Sequence, residues 1–373
     1  MVKNHLEIYL DGKRFFYNHT GLGNYSRWLV QSYHQEFPED QLVLLKPGKK
    51  KSEYSLWLEN TDIKTLSYPS MAGLARSLVS AEWIPDKTIY HGLSAEIPLN
   101  IKQKSRNALI TVHDVIFKVR PRDYRWHDRM MYDLKLKFAL DRIPQVVVIS
   151  QKTKQDLIEY YKVPEEKISV IYQNCDAIFY QCENPSDVNS ISLFENLPSV
   201  FWICVGSFNP RKNQGSILAA YLNLPEDLRI PVLMIGGGSD KSAFREKVEQ
   251  SGLGKWFIFP DKISNAQLAV LYKKSIGLIY PSLYEGFGIP AVEALACGVP
   301  VIAHEGTAVE EAAGEGGLFV NTLIADQLAD AMMRIQESDS LRKALITKGL
   351  EHIKTFDVKK NMILQKNVYE KIG

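Results

Sequence analysis

The residues with the clearest chemical potential lie in segment 281–303, PSLYEGFGIPAVEALACGVPVIA. A short strand, GLIYPS, leads into a loop that holds Gly286 and Gly288, and Pro290 follows where a helix should begin. Backbone amides at a helix start attract anions, and glycines let a phosphate approach the backbone closely. The amides predicted to be free are those of Gly288, Ile289, Ala291 and Val292. The segment therefore predicts a phosphate-binding loop.

Two carboxylates, Glu285 and Glu293, lie eight positions apart in the same segment. A carboxylate beside a phosphate is electrostatically unfavourable. One interpretation is therefore that both only stabilise the helix start, where the macrodipole favours acidic side chains. The other interpretation is that they accept hydrogen bonds from sugar hydroxyls. The residue types alone leave both open.

A second segment, FWICVGSFNPRKNQ (201–214), places Arg211 and Lys212 just before a predicted helix that begins near Gln214, with Asn213 as its cap. Two cations at a helix N-terminus oppose the helix dipole unless something negative lies between them. A diphosphate would remove that conflict. The alternative is a pair of surface cations on a turn.

Two further loops lie in the first half of the chain. The sequence GLGN (21–24) precedes a predicted helix, and LITVHDVIF (109–117) places His113 at the end of a strand. The G-x-G spacing resembles a dinucleotide fingerprint, but it does not follow a strand directly. His113 alone fits a structural histidine, whereas a strand-end position in a cleft favours a functional one.

Short apolar runs that are rich in β-branched residues alternate with amphipathic segments along the chain, as in βαβ units and parallel sheets. The length of 373 residues suggests two domains. The predicted fold is α/β, with two Rossmann-like parallel-sheet domains that face each other across a cleft. We expect the first domain over 1–180, a linker over 181–198 and the second domain over 199–355. Helix 356–373 is expected to pack back on the first domain.

The alternation of apolar runs and amphipathic segments also predicts which strands and helices hold the motifs. Ligands bind at the carboxyl ends of parallel strands. The predicted strands are EIYL, LVLL, IYHG, ALITVHD, VVVIS and ISVIYQ in the first half, and VFWICVGS, PVLMIGGG, WFIFPD, GLIYPS, PVIAH and GLFVN in the second. Helices are predicted over 24–37 and 126–140. The loops after these strands are therefore the expected site.

The 45 Lys and Arg residues and 43 Asp and Glu residues give a net charge of +2, which argues against a nucleic-acid binder. Segment 102–142 holds 11 basic and 5 acidic residues, either as a solvated face or as a surface for an anionic membrane or phosphorylated substrate. The apolar residues of the 126–140 helix are interpreted as core packing beneath a solvated basic face, with docking on anionic lipid as the alternative. They are Trp126, Met130, Met131, Leu134 and Phe138.

The N-terminal sequence lacks a signal peptide, and no apolar run is long enough to span a membrane. We expect a cytoplasmic protein, at most peripheral at the inner face of the membrane. The four cysteines have no C-x-x-C spacing and are expected to be reduced. Because the chain has no Asp-x-Asp and no H-x-x-x-H, no metal or other cofactor is expected.

These motifs together resemble those of the retaining glycosyltransferases of family 4, which adopt the GT-B fold. YEGFGIPAVEALACGVPVIA resembles the Glu-x₇-Glu signature of that family, and VGSFNPRKN resembles its phosphate loop. GLGNYSRWL, TVHDVIF and GTAVEEAAGEGGLFVN are similar to further segments, and the match covers nearly the whole chain in order.

The resemblance implies a role for each matching residue. Glu293 binds the nucleotide ribose, Glu285 binds the donor sugar, and His113 contacts the sugar near the reacting carbon. Arg211 and Lys212 hold the diphosphate, and Ser207 stands where many members have a second basic residue. The backbone near Ile263 reads the base. The implied donor-binding set is Gly23, Gly206, Ser207, Ile263, Gly286, Phe287, Gly288, Ile289 and Glu293.

The implied function is metal-independent transfer of a hexose, with retention of configuration, from a nucleotide sugar to a saccharide or lipid-linked saccharide in polysaccharide or lipopolysaccharide synthesis. Mannose from GDP-mannose is the first candidate. The alternatives are a nucleotide-sugar hydrolase or epimerase with the same fold, and a non-catalytic partner that only binds a sugar nucleotide. The sequence identifies neither the base, the sugar nor the acceptor.

Overall fold

The computed structural model describes residues 5–49, 52–69, 80–101, 107–181 and 197–373. The chain divides into two compact units. The first comprises residues 1–173 and 356–373, and the second comprises residues 174–355. The linker predicted over 181–198 falls almost wholly outside the described residues.

The first unit is built on a seven-stranded parallel sheet in the order β3-β2-β1-β4-β5-β6-β7. Its strands are β1 (Glu7–Asp11), β2 (Gln41–Pro47), β3 (Lys64–Tyr68), β4 (Ile89–Gly92), β5 (Ala108–Val112), β6 (Gln145–Val148) and β7 (Ile168–Val170). Its helices are α1 (Lys13–Tyr17), α2 (Gly21–Glu36), α3 (Ser55–Leu58), α4 (Ile116–Val119), α5 (Trp126–Leu140) and α6 (Gln151–Tyr161). The interior strands β4 and β5 are buried at every position, because a parallel sheet is covered on both faces.

The second unit has a six-stranded parallel sheet in the order β10-β9-β8-β11-β12-β13. Its strands are β8 (Trp202–Val205), β9 (Val232–Ile235), β10 (Phe257–Ile258), β11 (Gly277–Tyr280), β12 (Val301–His304) and β13 (Gly317–Val320). Its helices are α7 (Gly215–Asn223), α8 (Lys241–Gln250), α9 (Asn265–Lys274), α10 (Ile289–Ala296), α11 (Ala308–Ala313), α12 (Ala325–Glu337) and α13 (Asp339–His352). All six predicted strands of this half are present.

The last helix, α14 (Val358–Ile372), lies in the first unit and contacts α2. Its Tyr369 hydroxyl lies 2.8 Å from Nδ1 of His91, and Nε2 of His91 lies 2.8 Å from Oγ1 of Thr111. Burial lowers the pKa of His91 to about 3, so the ring stays neutral. These bonds fasten the end of the chain to β4 and β5.

The boundary between the units falls at residue 173, seven residues before the position that the sequence pattern predicts. The turn Ala177–Phe179 packs within the second unit, with the ring of Phe179 lying 6.0 Å from that of Tyr272. Sγ of Cys297 also donates to the carbonyl of Phe179 at 3.3 Å. Residues 174–180 therefore belong with the second unit.

The interpretation of α5 as a core helix is wrong for four of its five apolar residues. Trp126 is 69% exposed, Leu134 60% and Met130 53%, and Met131 is also exposed. The helix buries a different face, formed by Leu136, Ala139 and Leu140. Helical spacing of apolar residues thus occurs on two faces of α5, and only one of them meets the sheet. Among the described residues, no helix is both long and apolar enough to cross a membrane.

Candidate sugar-nucleotide site

The predicted phosphate loops lie at the carboxyl ends of the strands of the second sheet. Strand β8 is central and pairs with β9 on one side and β11 on the other. The segments that leave the carboxyl ends of β8 and β11 carry Arg211, Lys212 and Glu285. This is the edge at which parallel sheets bind ligands.

The two cations sit on a short 3₁₀ turn, Pro210–Lys212, which Asn209 caps by accepting a hydrogen bond from the Lys212 amide. Asn213 follows with φ of 54°, in the left-handed region that asparagine tolerates. Its side chain does not cap α7, contrary to the prediction. Instead Nδ2 donates to Pro281 O at 3.3 Å and lies 3.2 Å from Oγ1 of Thr322. Asn213 thereby ties the turn to the segment after β11.

One carboxylate oxygen, Oε1 of Glu285, contacts both cations of this cluster. Oε1 of Glu285 lies 2.7 Å from the guanidinium of Arg211 and 2.6 Å from Nζ of Lys212, and it accepts a hydrogen bond from Ser282. Nζ of Lys212 also donates to the hydroxyl of Tyr280 at 2.8 Å. Glu285 itself therefore supplies the negative charge that two neighbouring cations at a helix start require.

The cluster keeps one positive charge in excess, since two cations face one carboxylate. Burial by itself raises the pKa of Glu285, but Lys212 and Arg211 outweigh that effect and hold the pKa below its usual value. Burial lowers the pKa of Lys212, although Glu285 opposes that shift. The arrangement is therefore a partly buried cationic site with a buried counter-ion, suited to an incoming anion.

The helix start next to this cluster is partly available to an anion. Gly288 adopts φ of 128°, and the amides of Gly288 and Ile289 have no hydrogen-bond partner within the described residues. The sequence also predicted free amides at Ala291 and Val292, but both donate to the carbonyl of Gly288, at 2.8 and 3.4 Å. Two amides of α10 thus remain to supplement the cations.

Glu293 lies on α10, half-buried, and its Oε2 accepts a hydrogen bond from the hydroxyl of Tyr272 at 3.2 Å. Burial raises the pKa of Glu293 to about 7, and Asp176 adds to the rise while Tyr272 opposes it. Near neutral pH the side chain can therefore either donate or accept a hydrogen bond. Glu285 and Glu293 thus have different surroundings and opposite pKa shifts.

A glycine-rich loop after β9 supports the turn after β8, a role that the sequence analysis missed. A Cβ on Gly236 would lie 2.0 Å from the carbonyl of Gly206, and the Phe208 amide donates to Gly237 O at 2.7 Å. The signal was the run GGG at a strand end. The exposed Ser207 stands between these contacts, and Ile263 lies just before the capped start of α9.

In the first unit, His113 follows β5 and is buried. Its Nε2 lies 3.0 Å from the carbonyl of Leu93 and must donate to it, which leaves Nδ1 as the acceptor in the neutral ring. Burial lowers the pKa of His113 to about 4, with a smaller contribution from Arg14. His113 can therefore accept a hydrogen bond from a hydroxyl but is not charged at neutral pH.

Gly23 has a structural explanation within the first unit. It lies in the first turn of α2, which begins at Gly21, so the predicted loop GLGN is helical. A Cβ on Gly23 would lie 1.8 Å from the carbonyl of Asn18. Glycine is therefore required here by the close approach of the backbone to Asn18.

Among the described residues, no group of three or more His, Cys, Asp and Glu side chains is placed to hold a metal ion. The positive charge that this site offers comes from Arg211 and Lys212.

Comparison with known proteins gives two family matches. Residues 84–176 match the model described as Glycosyltransferase Family 4, and residues 185–352 match Glycosyl transferases group 1. The O-antigen chain mannosyltransferase B of Escherichia coli is 26% identical over 72% of this chain and 70% of its own length. The O-antigen chain mannosyltransferase RfbU of Salmonella typhimurium is 30% identical over 58% of this chain and 57% of its own length.

Two solved structures share the fold over nearly the whole chain. Anabaena HepE in complex with UDP has a TM-score of 0.76 at 15% identity, covering 98% of this chain and all of that one. WaaG, a glycosyltransferase involved in lipopolysaccharide biosynthesis, has a TM-score of 0.70 at 15% identity, covering 98% and 99%.

Proposed function

We propose that this chain, which belongs to glycosyltransferase family 4 and has the GT-B fold, transfers a hexose from a nucleotide sugar to a saccharide. The observation that carries the proposal is the partly buried pair of cations, Arg211 and Lys212, held on a single buried carboxylate beside the free amides of a helix start. A diphosphate matches this combination of charge and donors. The mannosyltransferase relatives support mannose, with GDP-mannose as the first candidate donor.

The geometry suggests how the donor enters the site. The diphosphate would replace Glu285 as the ion-pair partner of Arg211 and Lys212, because two phosphate groups offer more charge and more acceptor oxygens than one carboxylate does. Glu285 would then be released to accept hydrogen bonds from the hydroxyls of the donor sugar. Glu293, on α10, is proposed to bind the ribose. Binding would thus replace the ion pairs of both cations with phosphate contacts, and the ion pairs of Glu285 with hydrogen bonds from the sugar.

Departure of the nucleoside diphosphate is the step that Arg211 and Lys212 are proposed to accelerate. Negative charge grows on the leaving oxygen as the bond to the sugar breaks, and preorganised cations stabilise that charge. The acceptor oxygen attacks from the same face, the leaving oxygen takes its proton, and the configuration of the sugar is retained. His113 is proposed to accept a hydrogen bond from a sugar hydroxyl rather than to transfer a proton, because its low pKa keeps it neutral.

Transfer should proceed without a divalent metal ion, because Arg211 and Lys212 supply the charge that a metal would otherwise provide. The test incubates the protein in excess EDTA with GDP-mannose, UDP-glucose and a series of mannoside acceptors, and follows the product by NMR. We expect an α-linked product from an α-linked donor. Loss of activity in EDTA that manganese restores would show that a metal takes part.

The same assay separates the alternatives. Release of free hexose or an epimer without any acceptor would favour a nucleotide-sugar hydrolase or epimerase. Binding of the nucleotide with no turnover of any donor would favour a non-catalytic partner.

The exposed face of α5 is proposed to contact the membrane that carries a lipid-linked acceptor. Trp126, Met130 and Leu134 are more than half exposed. Arg129 and Lys137 lie on the same helix, and Arg125 directly precedes it. Apolar side chains that insert into lipid, next to cations that face anionic headgroups, are the features of an interfacial helix.

Vesicle sedimentation tests this contact. We expect the protein to sediment with phosphatidylglycerol vesicles and not with phosphatidylcholine vesicles, and to lose about tenfold in partition when Trp126 and Leu134 are both changed to serine. The matched control changes Leu222 and Leu350, exposed leucines of the second unit, to serine. Equal sedimentation of both double variants would remove α5 as the membrane contact.

A further inference from the structure

A cavity of about 200 Å³ lies in the first unit, at the carboxyl ends of the adjacent strands β1, β4 and β5. Arg14 lines it from α1, Ser94 from the segment after β4, and His113 from the end of β5. Helix α5 contributes Tyr132 and Lys135. The cavity can hold one sugar ring, and it occupies the ligand-binding edge of its sheet.

Two atoms of the lining are buried without a hydrogen-bond partner in the described part of the chain. They are Nε of Arg14 and Oγ of Ser94. Ser94 is only 9% exposed. Folded proteins rarely leave a buried polar atom unpaired unless a ligand or water satisfies it. Both atoms are therefore open to a hydrogen bond with a polar group that enters this cavity.

The other charged groups of the cavity already have partners, whereas Arg14 is placed to bind an anionic group of a ligand. Glu96 is already engaged by Lys13 at 2.8 Å and by Lys135 at 3.5 Å, and Asp114 accepts a hydrogen bond from the Ile116 amide. His113 is neutral, as its lowered pKa shows. Arg14 also helps to lower the pKa of Glu96, after the larger effect of Lys13, but no described carboxylate lies within 4 Å of its guanidinium. An anionic group on the ligand would give this guanidinium a partner.

The remaining wall is aromatic. The ring of Tyr132 lies 5.7 Å from that of Phe117 and 6.2 Å from that of Tyr124, and all three residues line the cavity. Aromatic rings bury the apolar face of a pyranose while hydroxyl and guanidinium groups bind its polar rim. The wall therefore fits a sugar better than a free inorganic anion.

We propose that this cavity binds an acidic sugar unit of the acceptor, with Arg14 on the anionic group, Ser94 on a ring hydroxyl and the aromatic wall on the sugar face. The inference rests on the proposed function, because it names the chemical class of the acceptor. A phosphate or a carboxylate on the sugar supplies the same anionic chemistry.

Calorimetry on the full chain tests the assignment with mannose 1-phosphate, glucuronic acid and neutral methyl α-mannoside. We expect at least one acidic sugar to bind about tenfold or more tightly than the neutral one, as a charge-assisted hydrogen bond implies. Arg14→Gln should remove that difference and leave the neutral sugar unchanged, and Arg14→Lys should keep part of it. Ser94→Ala should weaken all three sugars several-fold.

Two controls separate this site from others. Arg122→Gln removes the same charge from an exposed position of the same unit and should change no sugar affinity. Lys212→Ala alters the donor site, which also accepts the phosphate of mannose 1-phosphate, so the control is read with glucuronic acid, whose binding should stay unchanged.

The outcomes distinguish the inference from the proposed function. Equal binding of acidic and neutral sugars, with GDP or UDP still bound, overturns the acidic-acceptor assignment alone. Loss of nucleotide affinity in Arg14→Gln would place Arg14 on the donor and overturn it as well. Failure of the wild-type protein to bind any nucleotide would instead refute the proposed function.

Discussion

Glu285→Gln is expected to lower the free energy of unfolding of the second unit by about 3–5 kcal/mol, the usual cost of removing one partner from a buried ion pair. The carboxylate is the shared counter-ion of Arg211 and Lys212, and its side chain is only 11% exposed. An amide in its place leaves two cations, 16% and 11% exposed, without an opposite charge. Hydrogen exchange at the β8 and β11 amides measures the loss within this unit.

A double variant shows whether the cost arises from the unpaired cations. Lys212→Met removes one of them, so adding it to Glu285→Gln should recover a large part of the lost stability. The matched control is Glu315→Gln, which breaks an exposed ion pair of 2.7 Å with Lys348 and should cost less than about 1 kcal/mol. If Glu285→Gln costs no more than this surface variant, Glu285 is not the counter-ion of the cluster.

The family, the fold and all six strands of the second unit were predictable because their signals are local. A strand end, a glycine loop and a helix start occur within 277–296, so the sequence shows the phosphate-binding geometry without any knowledge of the tertiary structure. The prediction of glycosyltransferase family 4 and of two parallel-sheet domains is confirmed.

The sequence did not reveal which charge neutralises Arg211 and Lys212. Glu285 lies more than 70 positions away along the chain, and only the pairing of β8 with β11 brings it within 2.7 Å of both cations. The same limit applies to Tyr280 and Ser282, which complete the cluster. A motif shows that charged groups exist, whereas strand order determines which of them meet.

Periodicity also failed where two faces of one helix were apolar. In α5 the spacing of Leu136 and Leu140 and that of Trp126, Met130 and Leu134 both fit a helix, and only the first set is buried. Strand β3, Lys64–Tyr68, was missed because it is a polar edge strand with a single buried residue. Edge strands need fewer apolar residues than central strands, so the pattern that identifies the latter is absent.

The roles assigned to individual site residues remain predictions, and the test with the largest expected effect on catalysis is Lys212→Ala. We expect it to lower kcat/KM for the nucleotide sugar by on the order of 10²-fold, because it removes a buried cation from the leaving diphosphate. Arg211 still pairs with Glu285 in this variant, so the fold of the turn should persist. Steady-state kinetics measure the loss, and Lys255→Ala, at an exposed lysine of the same unit, should leave the rate unchanged.

The leaving group itself distinguishes catalysis from simple binding. If Lys212 stabilises charge that grows on the leaving oxygen, the defect of Lys212→Ala should shrink with a donor whose leaving group is intrinsically more stable as an anion. If Lys212 only binds the donor, Lys212→Ala should raise KM and leave kcat unchanged. The rise in KM should then be the same for the normal donor and for the donor with the more stable leaving group. Wild-type rates in both Lys212→Ala and Arg211→Ala would show that neither cation acts on the diphosphate. The excess positive charge beside Glu285 would then serve the fold rather than the reaction.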